Sequence, residues 1–308
     1  MRIVFMGTPE VAALSLERLL EGPDPVVGVV TQPDRPAGRG GKIIPSPVRR
    51  VAESRHIPVL APEKIRDPSF LSALNGWAPQ LVVVVAYGRI LPRQILELPP
   101  RGCLNLHYSL LPKYRGAAPV AWAIINGAEK SGVTTMQLVE KMDAGPILLQ
   151  REVSLSADET AASLESKLAP VGAELLLETI ARLKAGAVTP RAQNEAEATY
   201  APMLKKGDGL IDWRQPAVAI ERRVRGLNPW PSAYAYLAGN LLKVHRARAM
   251  TTEEKAAPGE VVRAEKGALW VATGQGTLSL EEVQLENRKR MAAAEFLKGT
   301  RVEKGARL

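Results

Sequence analysis

LVVVVA, residues 81–86, is a run of six apolar residues, four of them β-branched valines. Such a run, without polar alternation, is what a parallel strand buried on both faces requires. RIVFM (2–6) and VVGVVT (26–31) have the same character. Helical patterns lie between these runs. PEVAALSLERLL (9–20) spaces Val11, Leu14, Leu19 and Leu20 near the helical period, and PVRRVAESRH (47–56) has Pro47 where a helix starts. Strand and helix in alternation predict an α/β domain with a doubly wound, mostly parallel sheet. Further along come GCLNLH (102–107), a helical APVAWAIING (118–127), two strand-like runs, VTTMQLVE (133–140) and PILLQREVSL (146–155), and a long helix over 158–186.

The chain has 308 residues, enough for two domains. We expect the first over 1–188, a linker over 189–207 with little periodicity, and a second domain over 208–308. In the last, SAYAYLAGNLLKVHRARAM (232–250), EVVRAEKGALWVATG (260–274) and TLSLEEVQL (277–285) read as hairpin strands at short intervals. A small β-barrel of the oligonucleotide-binding kind accommodates them. The net charge is +9, densest in the C-terminal third, and points to an anionic partner. The single cysteine, Cys103, cannot form an intramolecular disulfide, and three scattered histidines have no metal-ligand spacing. No apolar run is long enough to span a bilayer. A soluble, cytoplasmic protein without metal is the expectation.

MGTPE (6–10) follows the first strand with one glycine, where a dinucleotide site uses three, so a nicotinamide or flavin is not expected. In NLHYSLLPKYRGAAP (105–119), Asn105 and His107 share a strand face, because side chains repeat every second residue. Asp143 in KMDAGPI follows another strand and precedes an Ala-Gly turn, where its carboxylate can meet His107. An amide donor, an imidazole and a carboxylate suit acyl transfer, with the amide at the oxyanion and the carboxylate orienting the imidazole. The spacing equally allows a structural histidine. Ser109 reads as a cap before Leu-Leu-Pro and Cys103 as a buried small residue, which leaves direct transfer to an incoming nucleophile as the economical chemistry. Tyr87 to Leu91 close a buried strand, where open α/β folds bind ligands and where a plain turn also fits. DRPAGRGGKIIPSPVRR (34–50) holds Arg35, Arg39, Lys42, Arg49 and Arg50 in a Gly/Pro-rich loop that is either a phosphate clamp or a solvated loop.

TQPDRPAGRGGKIIPSPV (31–48), VVVAYGRILP (83–92), NLHYSLLPKYRGAAPV (105–120), MDAGPIL (142–148), IDWRQPA (211–217), RGLNPWPSAY (225–234) and AAEFLKGTRVEKGARL (293–308) together resemble the methionyl-tRNA formyltransferases nearly end to end. The resemblance implies a Rossmann-like formyltransferase fold followed by an OB-like barrel. It implies 10-formyltetrahydrofolate as co-substrate and initiator methionyl-tRNA as acceptor, with no membrane partner and a monomeric state. Asn105, His107 and Asp143 would be the catalytic trio. Tyr87, Gly88, Arg89, Ile90 and Leu91, with Ser109, Leu110, Leu111 and Pro112 and the strand before Asp143, would line the folate pocket. Arg35, Arg39 and Lys42 would reach the tRNA acceptor end, and the C-terminal domain its body. Tyr108 departs from the small residue expected between His and Ser, and should face away from Asn105 and His107. A second departure is Asn287-Arg288-Lys289-Arg290, where a glycine is expected before the basic residues. Formyl transfer to a small amine shares the trio but has no need of the basic loop and second domain. A non-catalytic RNA-binding protein would account for the charge and leave the trio unexplained.

Overall fold

In chain order the first half folds as β1 (Ile3–Gly7), α1 (Glu10–Leu20), β2 (Val26–Val30), β3 (Arg35–Ala37), β4 (Lys42–Ile44), α2 (Pro47–Ser54), β5 (Val59–Leu60), α3 (Pro68–Gly76), β6 (Leu81–Val85), α4 (Arg93–Leu96), β7 (Cys103–His107), α5 (Pro119–Ile125), β8 (Lys130–Gln137), β9 (Ile147–Ser154) and α6 (Ala161–Lys184). This computed structural model describes residues 1–37, 42–252 and 256–308. One sheet of seven strands runs β5-β2-β1-β6-β7-β8-β9. The first five are parallel, and β8 and β9 add on antiparallel at one edge. Every residue of β1, β6 and β7 is buried, as the unbroken apolar runs of β1 and β6 require.

From β1 the chain winds one way to β2 and β5, then returns to start β6 on the other side of β1. That reversal opens a crevice beyond the carboxyl ends of β1 and β6, with β7 next to it. Helix starts are built by local chemistry. Ser46 caps α2 by accepting from the Arg49 N–H at 3.1 Å, Asp67 caps α3 from the Ser69 N–H at 2.9 Å, and each is followed by proline. One face of the sheet packs Val4, Met6, Val30, Val82 and Val84 against Phe70 and Leu74 of α3 and Ile95 of α4.

Gly28 in β2 shows how tight the packing is, because a Cβ there would lie 2.3 Å from the Trp77 ring. Gly28→Ala should cost about 1–3 kcal/mol of stability by overpacking, read as a lower thermal midpoint. An unchanged midpoint would mean that the Trp77 ring moves aside freely.

The chain divides into two units, the first comprising Met1–Pro119, Lys130–Ser154 and Glu165–Pro202, the second Val120–Glu129, Leu155–Leu164 and Met203–Leu308. Two departures from sequence order follow. Residues 120–129 pack on α7 (Ala217–Gly226) of the second unit, so closely that a Cβ at Gly226 would meet the Ala121 carbonyl at 2.8 Å. Residues 189–202, in the stretch expected as a linker, pair with the first unit through bridges from Arg191 to Ile147 and from Tyr200 to Arg115. The second unit is an antiparallel sheet of β10 (Ala233–Leu237), β11 (Asn240–Met250), β12 (Val261–Glu265), β13 (Ala268–Ala272) and β14 (Thr277–Leu285) in the order β10-β11-β14-β13-β12. A short β15 (Met291–Ala292) pairs with β14 and leads into α8 (Ala293–Gly299). Trp213, Ile220, Val224, Val244, Leu278 and Phe296 share its core, as in a small barrel closed by helices.

Candidate active site

β7 lies between β6 and β8 and delivers Asn105 and His107 to the same side, at its carboxyl end. His107 is 6% exposed, and its Nε2 lies 2.9 Å from the Tyr114 carbonyl, which makes Nε2 the protonated nitrogen. Nδ1 then faces Asp143, 3.7 Å from Oδ2. That same carboxylate oxygen accepts the Gly116 N–H at 2.7 Å. One acidic oxygen thus ties the loop after β7 to the loop after β8. Asp143 sits at φ 48, a left-handed conformation that aspartate tolerates better than most side chains. Gly116 is at φ 122, and a Cβ there would meet the Ala201 carbonyl at 2.6 Å, so the donor position admits only glycine.

Asn105 is 9% exposed, yet among the described residues its side-chain amide has no hydrogen-bond partner. That amide is not among the side-chain atoms sealed from solvent without a partner, so it stands open to a ligand on the strand face it shares with His107. The turn that follows is held by its own polar groups. The Ser109 hydroxyl donates to the Lys113 carbonyl at 2.6 Å, and Thr134 Oγ1 donates to the Ser109 carbonyl at 2.6 Å. The Gln150 amide donates to the Leu111 carbonyl at 2.9 Å. Ser109 is fully buried in this capping role, Leu111 packs on Met136 and Ile147, and Leu110 and Pro112 are half-buried. Tyr108 lies beside Ser15 and Glu165, in the helices α1 and α6, where burial pushes its phenol up. Burial likewise pushes the Cys103 thiol up to about 12, so it is not a thiolate nucleophile.

After β6 the chain turns through Ala86 and Gly88, at φ 46 and 80. The Tyr87 carbonyl accepts from Gln32 Nε2 at 3.0 Å, and Arg89 donates to Gln32 Oε1 at 3.0 Å and to the Glu63 carbonyl at 2.8 Å. Gln32 lies within the quoted segment 31–48 without having been singled out, and Glu63 lies outside every motif read from the sequence. Tyr87 and Leu91 turn into the core, while Ile90 is exposed. A groove of about 680 Å³ opens here, lined by Arg66, Ile90, Leu91, Pro92, Arg93 and Glu140.

Of the basic loop, Arg39 lies outside the described residues, as do the side chains of Arg35 and Lys42. The backbone on either side forms the β3–β4 ribbon, Arg35 opposite Ile44. Arg49 and Arg50 are on α2 and engaged with carboxylates, Arg49 with Asp34 at 2.6 Å and Arg50 with Glu10 at 2.8 Å. Asp34 also accepts the Ser46 N–H at 3.3 Å, fixing the root of the ribbon. Among the described residues no group of three or more His, Cys, Asp or Glu could hold a metal, and no helix is long and apolar enough to cross a membrane.

An open α/β sheet with an amide, an imidazole and a carboxylate at the carboxyl end of its strands, followed by a small barrel, is the arrangement expected of a formyl transferase, and the comparisons place the chain in that class. The formyl transferase family model matches residues 1–180, and the model of the formyl transferase C-terminal domain matches residues 203–301. The methionyl-tRNA formyltransferase of Desulfotalea psychrophila is 52% identical, covering 98% of this chain and 94% of its own. That of Citrifermentans bemidjiense is 49% identical, covering 100% and 96%. The chain belongs to the methionyl-tRNA formyltransferase family. Among solved structures, an N-formyltransferase from Helicobacter canadensis in complex with folinic acid and dTDP-3-aminofucose superposes with TM-score 0.65 at 17% identity, covering 94% of this chain and 99% of that one. HypX from Aquifex aeolicus in complex with tetrahydrofolic acid gives 0.63 at 20%, covering 96% and 47%. At such identities these two show the shared fold.

Proposed function

We propose that the protein transfers the formyl group of 10-formyltetrahydrofolate to the α-amino group of initiator methionyl-tRNA, with Asn105, His107 and Asp143 as the groups that act on the reacting atoms. The observation that carries this reading is the Asn105 amide, open and without a protein partner among the described residues, on the strand face of the His107–Asp143 pair. The folate supplies a formyl carbon already activated by its attachment to N10. The α-amine, with a pKa of about 8, is partly neutral at pH 7 and can attack without a strong base. The new C–N bond forms as the bond to N10 breaks, the amine gives up one proton and N10 gains one. Asn105 donates to the formyl oxygen as negative charge develops on it. His107 stands at the same side, and Nδ1 facing Asp143 is where a proton is passed or held.

The groove beside Ile90 and Leu91 fits the co-substrate in chemistry. Its volume suits a ligand of folate size, and Arg66 in its lining suits a carboxylate, whereas Arg93 is already paired with Glu97 at 2.7 Å. Of the residues assigned to the folate pocket, Ile90 and Leu91 line this groove; Tyr87, Gly88, Arg89, Ser109, Leu110, Leu111 and Pro112 do not, nor do Asn105, His107 and Asp143, and their assignment to the pocket rests on the family resemblance. The loop with Arg35, Arg39 and Lys42 is assigned to the acceptor end of the tRNA, and residues 208–308 to its body. Among the described residues Arg248, Arg288 and Lys289 of the barrel are exposed with no acidic partner, which suits phosphates. The reaction is placed in the cytoplasm and the protein is taken as a monomer.

Single-turnover assays should show rapid formylation of methionyl-tRNA and slow formylation of a small free amine, and log affinity for tRNA should fall linearly with log salt. Equal rates on both acceptors, with tRNA affinity indifferent to salt, would discard the tRNA assignment.

A further inference from the structure

Arg115 is the largest of the fully buried side chains, 1% exposed. A guanidinium taken out of water must have its donors met. Two of them, on Nε and Nη2, converge on Gln193 Oε1 at 3.0 and 2.8 Å. Nη2 and Nη1 also grip the Glu195 carboxylate at 2.9 and 3.2 Å. Because Arg115 occupies the oxygen of the Gln193 amide, the nitrogen must point the other way. There it donates to the Asp143 carbonyl at 2.8 Å and to the Gly145 carbonyl at 2.7 Å. Both amide hydrogens are spent on the loop that presents the Asp143 carboxylate.

The same segment holds that loop and its neighbour at other points. Lys141 donates to Glu195 at 2.6 Å, and the bond from Arg115, then that from Lys141, holds the Glu195 carboxyl down to about 2. Arg191 and Ile147 exchange backbone bonds at 2.8 Å. On the His107 side, the Arg115 N–H donates to the Thr199 carbonyl at 2.8 Å, and Thr199 Oγ1 accepts the Tyr114 N–H at 2.8 Å. Tyr114 supplies the carbonyl bound by His107, and Gly116 the N–H bound by Asp143. Residues 191–201 therefore strap together the two loops whose meeting point is the His107–Asp143 contact.

We propose that Gln193, fixed by Arg115 and Glu195, is a positioning residue for formyl transfer, its amide setting the Asp143 carboxylate against the His107 ring. This rests on the reading given under the proposed function. Asp143 holds an uncommon backbone conformation, and the two bonds from Gln193 bracket it at residues 143 and 145. Without them the carboxylate can shift by a fraction of its distance to Nδ1, and reacting groups misplaced by about 1 Å lose rate steeply.

The test compares Gln193→Met, which fills the space without donors, and Gln193→Glu, which keeps an oxygen for Arg115 and loses both donors. Steady-state formylation of methionyl-tRNA should show kcat lower by roughly 10- to 100-fold in both, with KM for the formyl donor and for the tRNA unchanged. A role confined to stability predicts a lower thermal midpoint and wild-type kcat in the folded protein, and that result overturns the proposal. If Gln193→Met does not fold, Gln193→Glu decides by the same kcat. Wild type and Asn105→Ala are run alongside. Wild-type activity, lost in Asn105→Ala and kept in both Gln193 variants, removes the positioning role and leaves the reaction standing. Wild type inactive on methionyl-tRNA removes the functional reading instead, and kcat on whichever amine it does formylate then decides the role of Gln193. Failure on every amine overturns both.

Discussion

Asn105→Ala is expected to slow single-turnover formyl transfer by about 100- to 1000-fold, the usual cost of one lost oxyanion donor. Two features make the effect catalytic in origin. The amide has no protein partner among the described residues, so its removal orphans no other buried group. It also stands on β7 between two fully formed neighbours, so the backbone that presents it stays in register. Folding should then be nearly unchanged, while the charge developing on the formyl oxygen loses its donor. Rapid-quench measurement with saturating 10-formyltetrahydrofolate and methionyl-tRNA reads the chemical step directly. A variant within a few-fold of wild type would show that Asn105 is a structural amide and that another donor meets the oxygen.

The parts of this site that were legible in the sequence are those set by short periods. Asn105 and His107 announce themselves because a strand repeats every second residue, and β6 because a doubly buried strand tolerates no polar side chain. Asp143 was reachable because an Ala-Gly turn after a strand puts a side chain at the sheet edge. The strap at 191–201 was illegible for the opposite reason. Its residues bond one by one to distant partners, Arg191 to Ile147, Gln193 to Asp143, Thr199 to Arg115, and such pairing leaves no period along the chain. Its weak periodicity and its turn residues made it resemble a linker. Arg115 was equally hidden, because a guanidinium beside Lys113 and Tyr114 in a turn resembles a solvated charge, and only Gln193 and Glu195, some 80 residues on, let it be buried.

The packing of the second unit was legible at the level of strands and not of neighbours. The turns Ala-Gly-Asn and Glu-Lys-Gly mark β10–β11 and β12–β13 as hairpins, and the structure pairs them so. Nothing in 118–127 tells that this helix sits against α7. That follows from Gly127 and Gly226, small enough to admit the Arg222 guanidinium and the Ala121 carbonyl. The basic loop divides in the same way. In sequence the cations of the loop, Arg49 and Arg50 among them, fit a phosphate clamp or a solvated loop alike; Asp34 and Glu10 lie beside these two, and charges already paired have less to offer a nucleic acid.

Asp143→Asn should lower kcat by roughly 100- to 10,000-fold, the range seen when an imidazole loses its carboxylate partner in a nearly isosteric site. Asparagine keeps the volume and one oxygen for the Gly116 N–H, so the two loops stay joined. What is lost is the negative charge 3.7 Å from His107 Nδ1, while the ring keeps its bond to the Tyr114 carbonyl. Asp143→Ala removes more, since the Gly116 N–H then has no acceptor on that loop and the left-handed backbone at 143 fits alanine less well. Comparing the two variants therefore separates charge from scaffold. If asparagine and alanine fall together in kcat while only alanine lowers the thermal midpoint, the carboxylate acts through its charge on His107. If asparagine runs near the wild-type rate and only alanine fails, Asp143 is a loop brace, and His107 works by its bond to the Tyr114 carbonyl alone.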